Sequence, residues 1–318
     1  MIWLSWRQQR SELLLAAGLL LILTVIFVPA GLHLASLYDH DGLAACVGRQ
    51  TDACRQASAD FGGHAGILRT ALGWLTLLPG LIGAALAAPL VLDLEHGSVF
   101  FGWTQGVTRL RWTVTKLAVA LLSAVAAAAA LTLLLTWYRR PMDAVFGRMD
   151  TSVFDVEGIV PVAYVLFALG LALAVGVVWR RTAPTVVLAL LGYVGARLFT
   201  DNWLRQHLVT PLAATWGPRS FGPRGLNGAW ILSSGPSDRA GHPFTGGFEV
   251  IRSCGRGLGG VKMVDQACLA RHGAGFSHAV FIPADRFWLL QGLEAALFGG
   301  VALVLVAFAV WWLLVRTE

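Results

Sequence analysis

The chain has 318 residues, of which 56% are hydrophobic and only 13% are charged, and its mean hydropathy is +0.67. Soluble domains carry about 25% charged residues, so this composition excludes an ordinary water-soluble protein. The net charge of +6 comes from basic residues that are scattered between apolar runs. Because these residues form no single basic block, we expect no nucleic-acid partner.

Six apolar runs predict six transmembrane helices, because about 20 helical residues cross a hydrocarbon core of about 30 Å. The runs cover residues 13–37, 73–92, 114–138, 160–179, 185–204 and 287–315. We therefore expect an all-α polytopic membrane protein with both termini on one side. Its predicted parts are an N-terminal interfacial helix with helices 1–5 (residues 1–204), a Gly/Pro-rich segment (205–285), and helix 6 with the C-terminus (286–318).

The segment before the first apolar run, MIWLSWRQQRSE, combines tryptophans with arginines. This mixture is typical of an amphipathic helix that lies at the membrane interface. The run that follows is longer than the roughly 7–15 apolar residues of a signal peptide. We therefore expect an uncleaved membrane anchor.

The four cysteines indicate the orientation in the membrane. Cys46 and Cys54 lie in the first loop and Cys254 and Cys268 in the fifth, and alternating spans place these loops on one face. Two cysteines in each loop predict the disulfides Cys46–Cys54 and Cys254–Cys268, and disulfides imply an oxidising exterior. We therefore expect an extracellular, disulfide-containing segment between helices 5 and 6, with cytoplasmic termini. The basic residues of the short loops favour this orientation only weakly, with eight inside and six outside.

A zinc site is the alternative reading of the second cysteine pair. It would use Cys254, Cys268, His272 and His278 as ligands. The cysteines are separated by thirteen residues and lack the CxxC spacing of structural zinc sites. We therefore expect no metal.

Three polar residues lie inside the predicted membrane region. Arg197 falls in the fifth run, and Gln291 and Glu294 lie near the outer end of the sixth, on one helix face because they are three residues apart. A charge in hydrocarbon costs roughly 2.5–3.5 kcal/mol, so we expect Arg197 and Glu294 to pair. The pair either locks two helices together or acts in gating or substrate contact. Alternatively, Arg197 extends outward to the interface.

The loop between the second and third runs, LEHGSVFFGWTQGVTRLRWTVTK, mixes aromatic residues, glycines and arginines. Val99, Trp103, Val107 and Leu110 recur at helical spacing, which predicts a short amphipathic helix. From its residues alone, the helix is either an interfacial anchor or a docking surface.

Three segments, WLSWRQQR, LEHGSVFFGWTQGVTRLRW and FIPADRFWLLQGLEAALFG, together resemble permease subunits of type-2 ABC transporters, in particular an actinobacterial branch. The resemblance implies that the loop is a coupling helix that docks in a cleft of a separate ATPase subunit. Trp103 would fill a pocket there, and Arg109 and Arg111 would meet carboxylates. The implied coupling residues are Glu95, Gly97, Trp103, Thr104, Gln105, Arg109 and Arg111. Members of the family usually have short re-entrant helices before the last span, whereas this chain has about 80 residues.

The resemblance implies an ATP-driven exporter in the bacterial cytoplasmic membrane. Its substrate would be amphipathic: a lipid, a peptide, or a hydrophobic natural product or drug. Two copies of the ATPase and a second permease subunit, identical or paralogous, would complete the complex within the membrane lipid.

No catalytic motif argues that the chain itself is an enzyme. It lacks GxxxxGK[ST], and GRGLGG at residues 255–260 has no clear preceding strand or following Rossmann helix. We expect no cofactor in this chain, with ATP and Mg²⁺ bound by the partner ATPase. Two alternatives stay open: a membrane sensor or receptor whose extracellular segment binds a ligand without transport, and an intramembrane enzyme.

Overall fold

The computed structural model describes residues 2–46, 51–64, 66–97, 108–217, 222–243, 252–258, 261–264, 266–273 and 275–316. Within these ranges six helical segments are long and apolar enough to cross a membrane. We call them spans one to six: Leu14–His40, Leu72–Glu95, Arg109–Phe146, Val160–Trp179, Thr182–Leu208 and Ala284–Val315. The prediction of a polytopic membrane protein with six helical spans is therefore confirmed.

The first three spans differ in detail from the predicted runs. Span one belongs to a single helix, Ile2–His40, so residues 2–13 continue the helix of span one, and their position at the membrane interface stays a prediction. Span two consists of two consecutive helices, Gly66–Leu75 and Leu78–Glu95. Span three, Arg109–Phe146, is longer than its apolar run at both ends.

The last three spans agree more closely with prediction, apart from the end of the fifth. The helices Val160–Trp179 and Phe287–Val315 have the predicted bounds. The fifth helix, Thr182–Phe199, continues through a π-helical turn, Thr200–Leu204, into Arg205–Leu208. The helical chain therefore extends four residues beyond the predicted boundary at 204.

Local sequence explains where several spans begin and end. The hydroxyl of Thr108 accepts a hydrogen bond from the backbone N–H of Arg111 and caps the start of span three. Gly147 ends that helix with φ of 82°, a conformation that glycine adopts without steric cost. Pro161 lies in the first turn of span four, where its missing N–H is not needed.

Span four is the centre of the bundle. It packs against spans two, three, five and six, and 67% of its apolar window is buried, compared with 17% for span one. Glycines allow the close approach: a Cβ on Gly83 of span two would lie 2.5 Å from the carbonyl oxygen of Val165. Likewise, a Cβ on Gly170 would lie 3.1 Å from the carbonyl oxygen of Ala302 in span six. Helices in lipid have no hydrophobic driving force for association. Small residues at their contacts let the backbones approach closely, so that van der Waals packing stabilises the bundle.

The segment between spans five and six contains β-strands, which the sequence analysis did not predict. The strands are β1 (Leu212–Trp216), β2 (Trp230–Ser237), β3 (Gly255–Leu258), β4 (Val261–Val264) and β5 (Phe276–Ile282). Three of them form an antiparallel sheet of the order β1-β5-β2, and β3 and β4 form a separate antiparallel pair. Strand β1 follows span five closely and β5 leads into span six, so the sheet is attached to the ends of these two spans.

Short helices connect the remaining parts of the chain. The first loop contains a helix at Asp52–His64, the loop between spans three and four contains one at Thr151–Phe154, and Gln266–Arg271 lies between β4 and β5. Single 3-10 turns occur at Leu43–Ala45, Arg224–Leu226 and Ala284–Arg286.

Both predicted disulfides are present. The Cα atoms of Cys46 and Cys54 are 5.3 Å apart, and those of Cys254 and Cys268 are 5.5 Å apart. Alternating spans place both disulfides and the loop at residues 147–159 on one side of the membrane, which we call the disulfide side. The opposite side, which carries both chain ends, is the termini side.

The alternative zinc site would need the sulfur atoms of the second disulfide. Those two sulfur atoms and a ring nitrogen of His272 lie within 4.8 Å of one another. The sulfurs are bonded to each other, so neither is a thiolate ligand in this state. His278 lies in β5, where its Nδ1 is 3.1 Å from the carbonyl oxygen of Gly235.

Candidate functional site

The polar residues of span six lie at its disulfide-side end, and the side chains of Gln291 and Glu294 are buried. Arg205 holds the Glu294 carboxylate with two hydrogen bonds: Nε to Oε2 at 2.9 Å and Nη2 to Oε1 at 3.0 Å. Arg197 Nη1 is 3.5 Å from Oε1 of the same carboxylate. The structure therefore brings Arg197 and Glu294 together, but Arg205 is the better-placed partner. Arg197 is only 5% exposed and does not extend outward.

Two carboxylates and one hydroxyl complete this group. Asp155, from the loop between spans three and four, pairs with both guanidinium groups, and Asp201 lies 3.0 Å from each of them. The hydroxyl of Tyr164 in span four donates to Glu294 and accepts from Arg197. We call these side chains the first ionic cluster: Asp155, Tyr164, Arg197, Asp201, Arg205 and Glu294.

The first ionic cluster joins spans four, five and six to the loop before span four. Removing one partner from a buried ion pair costs about 3–5 kcal/mol, because the other charge is left uncompensated. Aromatic faces add to the cluster: the Arg197 guanidinium lies 4.2 Å from the ring centroid of Tyr164, and that of Arg205 lies 4.4 Å from that of Phe154. The arrangement fixes the relative positions of three spans at the disulfide side.

The side chain of Gln291 holds the loop between spans three and four by hydrogen bonds to the backbone of that loop. Its Oε1 accepts hydrogen bonds from the N–H groups of Ile159 and Val160, both at 3.0 Å. Its Nε2 donates to the carbonyl oxygens of Phe154 at 2.9 Å and Glu157 at 3.2 Å. The two N–H groups lie at the start of span four, where a helix offers them no partner of its own. We call residues 155–159 the clasp loop.

A second ionic cluster connects the clasp loop to span three. It consists of Arg139 and Asp143 of that span with Arg148 and Glu157. Arg139 Nε lies 2.9 Å from Glu157 Oε1, and Arg139 Nη2 lies 3.0 Å from Asp143 Oδ1. Burial, and then the negative charge of Asp143, raise the pKa of Glu157 to about 8, against the opposing effect of the two arginines. The clasp loop thus contacts spans three, five and six.

The residues proposed for ATPase coupling lie at the termini side. Glu95 Oε2 accepts a hydrogen bond of 2.8 Å from the backbone N–H of Thr182, at the start of span five. Gly97 follows span two with φ of 68°. Arg109 and Arg111 are exposed in the first turn of span three. Trp103, Thr104 and Gln105, with most of the predicted amphipathic helix, lie outside the described residues.

An ion pair beneath this loop joins the two spans that it connects. Lys116 of span three pairs with Asp93 of span two, and both side chains are largely buried. Glu95, at the end of span two, also bonds to Thr182 of span five. The two spans that flank the loop are therefore joined to each other, and one of them is joined to span five.

Sequence reasoning missed most of the first ionic cluster. Arg197, Asp201 and Arg205 follow each other at intervals of four, the spacing of one helix face. The apolar run predicts an end of span five at residue 204, one residue before Arg205, and so hides this signal. Asp155 and Tyr164 carried no comparable signal, because only the fold brings them near Glu294.

Comparison with known proteins identifies one family. A family model described as "ABC-2 membrane transporter related" matches residues 17–205, more than half of the chain. The match begins in span one, includes the loop between spans two and three, and ends at Arg205, before the sheet. Neither a curated protein nor a solved structure matches the chain.

Proposed function

Because the chain belongs to the ABC-2 membrane transporter related family, we propose that it is the transmembrane subunit of an ATP-driven exporter. It moves an amphipathic substrate, such as a lipid, a peptide, or a hydrophobic natural product or drug, across the bacterial cytoplasmic membrane. The family implies association with an ATPase subunit. In our proposal two ATPase copies and a second permease subunit, identical or paralogous, form the complex, with the termini side in the cytoplasm.

The attachment of the loop between spans two and three is the observation that carries this proposal. Asp93 and Lys116 link the two spans at its base, and Glu95 links it to the start of span five at Thr182. A displacement of the loop by the ATPase is therefore transmitted to three spans and is not absorbed by one helix end. Such rigid-body movement is a common way of switching a protein between two states.

An apolar groove supports the choice of an amphipathic substrate. It lies between spans one and two, has a volume of about 160 Å³, and is lined by Leu15, Leu19, Leu81 and Leu86 among others. Its lining suits an acyl chain or another hydrophobic group. Polar parts of a substrate need other contacts, for which the buried ionic clusters are candidates.

The test is the response of a reconstituted complex to two substitutions in the coupling loop. Trp103→Ala and Arg109→Glu are expected to weaken ATPase retention on an affinity column at least about thirtyfold, the equivalent of losing an interface hot spot of about 2 kcal/mol. Substrate-stimulated ATP hydrolysis should fall in parallel. Trp288→Ala and Arg140→Glu are matched controls, because both side chains are exposed at the disulfide side.

The outcomes distinguish the alternatives. If both loop variants retain wild-type binding and stimulation, the loop is a membrane anchor and the coupling proposal is wrong. A chain that binds a ligand but retains no ATPase would be a sensor or receptor. Turnover of a substrate by the chain without an ATPase would identify an intramembrane enzyme.

A further inference from the structure

Glu157 is a buried carboxyl group at the junction of the clasp loop and span three, and it is 1% exposed. The charged groups that face it are Arg139 and Asp143 of span three and Arg148 of the preceding loop. On its other side the clasp loop carries Asp155, which belongs to the first ionic cluster. Glu157 is thus placed where a change in its charge acts on both clusters.

The hydrogen bonds in the second ionic cluster stabilise the ionised form of Asp143 more than that of Glu157. Asp143 receives hydrogen bonds from Arg139 Nε at 3.2 Å, Arg139 Nη2 at 3.0 Å and Arg148 Nε at 3.2 Å. Arg148 Nε is farther from Glu157, at 3.6 Å. Although Arg139 Nε is close to Glu157, neither carboxyl oxygen of this residue receives a well-directed hydrogen bond from the described part of the chain.

An ionised carboxylate without hydrogen bonds is costly to bury, so such a group tends to take up a proton. We propose that Glu157 carries a proton at neutral pH and that release of this proton to water loosens the clasp loop from span three. The neutral carboxyl group avoids repulsion with Asp143 and supplies an O–H donor beside it. Burial and the charge of Asp143, which raise the pKa of Glu157 to about 8, agree with this assignment.

Deprotonation has a defined mechanical consequence. A second negative charge then lies beside Asp143, to which Arg139 Nε, Arg139 Nη2 and Arg148 Nε already donate hydrogen bonds. The repulsion acts on the clasp loop, where Gln291 holds the backbone next to Glu157 and Asp155 holds two arginines. The loop therefore responds to alkaline pH, whichever function the protein performs.

Hydrogen–deuterium exchange of the full chain in lipid nanodiscs tests the switch. Protection factors, which divide out the intrinsic pH dependence of exchange, are measured for residues 153–160 between pH about 7 and about 9. The ionised fraction of a group with a pKa of about 8 rises about tenfold over this range, so protection should fall about tenfold in the wild type. In Glu157→Gln, which resembles the protonated form, protection should not change. Asp285→Asn, which alters an exposed carboxylate at the disulfide side, should keep the wild-type response.

Infrared difference spectroscopy gives a direct and independent reading. Between the same two pH values the wild type should lose the band of one protonated carboxyl group, and Glu157→Gln should lack this loss. The proposal is overturned if the wild type shows no such loss, or if Glu157→Gln retains the pH-dependent change in protection.

Discussion

The side chain of Gln291 packs directly against Gly158 at the start of span four and occupies the place that a side chain at position 158 would take. A Cβ atom at position 158 would lie 2.6 Å from Oε1 of Gln291, and Gly158 has φ of 72°. The absence of a side chain in the clasp loop therefore allows the carboxamide of span six to make its four backbone hydrogen bonds.

Gly158→Ala should destabilise the protein more than an alanine substitution at a glycine that has a positive φ but open space around its Cβ position. The left-handed conformation costs an alanine about 1–2 kcal/mol, and displacing Gln291 removes further hydrogen bonds of about 1 kcal/mol each. We expect a total loss of about 3 kcal/mol or more, measured by unfolding in mixed micelles. Gly42→Ala is the control, because Gly42 has φ of 62° and open space around its Cβ position. Equal losses in the two variants would contradict this account.

Arg205 should be energetically coupled to Glu294 more strongly than Arg197 is. Its two hydrogen bonds to that carboxylate are 2.9 and 3.0 Å long, whereas Arg197 Nη1 is 3.5 Å away. Double-mutant cycles with Arg205→Met, Arg197→Met and Glu294→Gln measure both couplings. Each single arginine substitution should cost about 3–5 kcal/mol. A larger coupling energy for Arg197 with Glu294 would reverse the assignment of partners.

Glu157 should make the stability of the protein depend on pH. Its pKa is about 8 in the folded protein and near its ordinary value of 4.5 in the unfolded chain, so the folded state binds more protons between these values. The stabilisation is fully present below pH about 4.5 and is lost as the pH rises to about 8, by at most about 1.4 kcal/mol per pH unit. Melting temperatures across this range should fall less steeply in Glu157→Gln. An unchanged slope in this variant would assign the pH dependence to other groups.

The disulfide side should face the cell exterior. A membrane-impermeant reductant followed by an impermeant maleimide should label Cys46 and Cys54 in intact cells, as peptide mapping can show. Arg181→Cys, at an exposed position on the termini side, should be labelled only after lysis. The reverse pattern would invert the topology and place the loop between spans two and three outside the cell.

The spans were predictable because hydrocarbon imposes a minimum length and an apolar composition on each of them. Val160–Trp179 and Phe287–Val315 have the bounds of their apolar runs. Arg205 was missed for the same reason: apolar content marks where hydrocarbon contact ends, but a helix continues for as long as its polar side chains find partners. Asp155 gave no signal, since its partners are 42 and 50 residues away in the chain.

The sheet was missed because its strands carry turn-forming residues. Strand β2, WILSSGPS, contains both Gly235 and Pro236, and such residues ordinarily indicate loops. Its position explains why they are tolerated: β2 is an edge strand of the order β1-β5-β2, where a residue without an N–H donor need not interrupt the pairing. Pairing with β5 is a long-range property, which local composition does not reveal.

The π-helical turn at Thr200–Leu204 sets the direction around the helix axis of span five in which the side chain of Arg205 points. Eight residues of regular α-helix, at about 100° each, would leave Arg197 and Arg205 about 80° apart around the helix axis. A π-helical turn contains more residues than an α-helical one and so reduces this angle, which allows both guanidinium groups to reach Asp155 and Glu294. Regular α-helix of the same length in place of this turn would restore the separation of about 80° and draw Arg205 away from Glu294 without replacing either residue. In this stretch the helix geometry is as constrained as the identity of the residues.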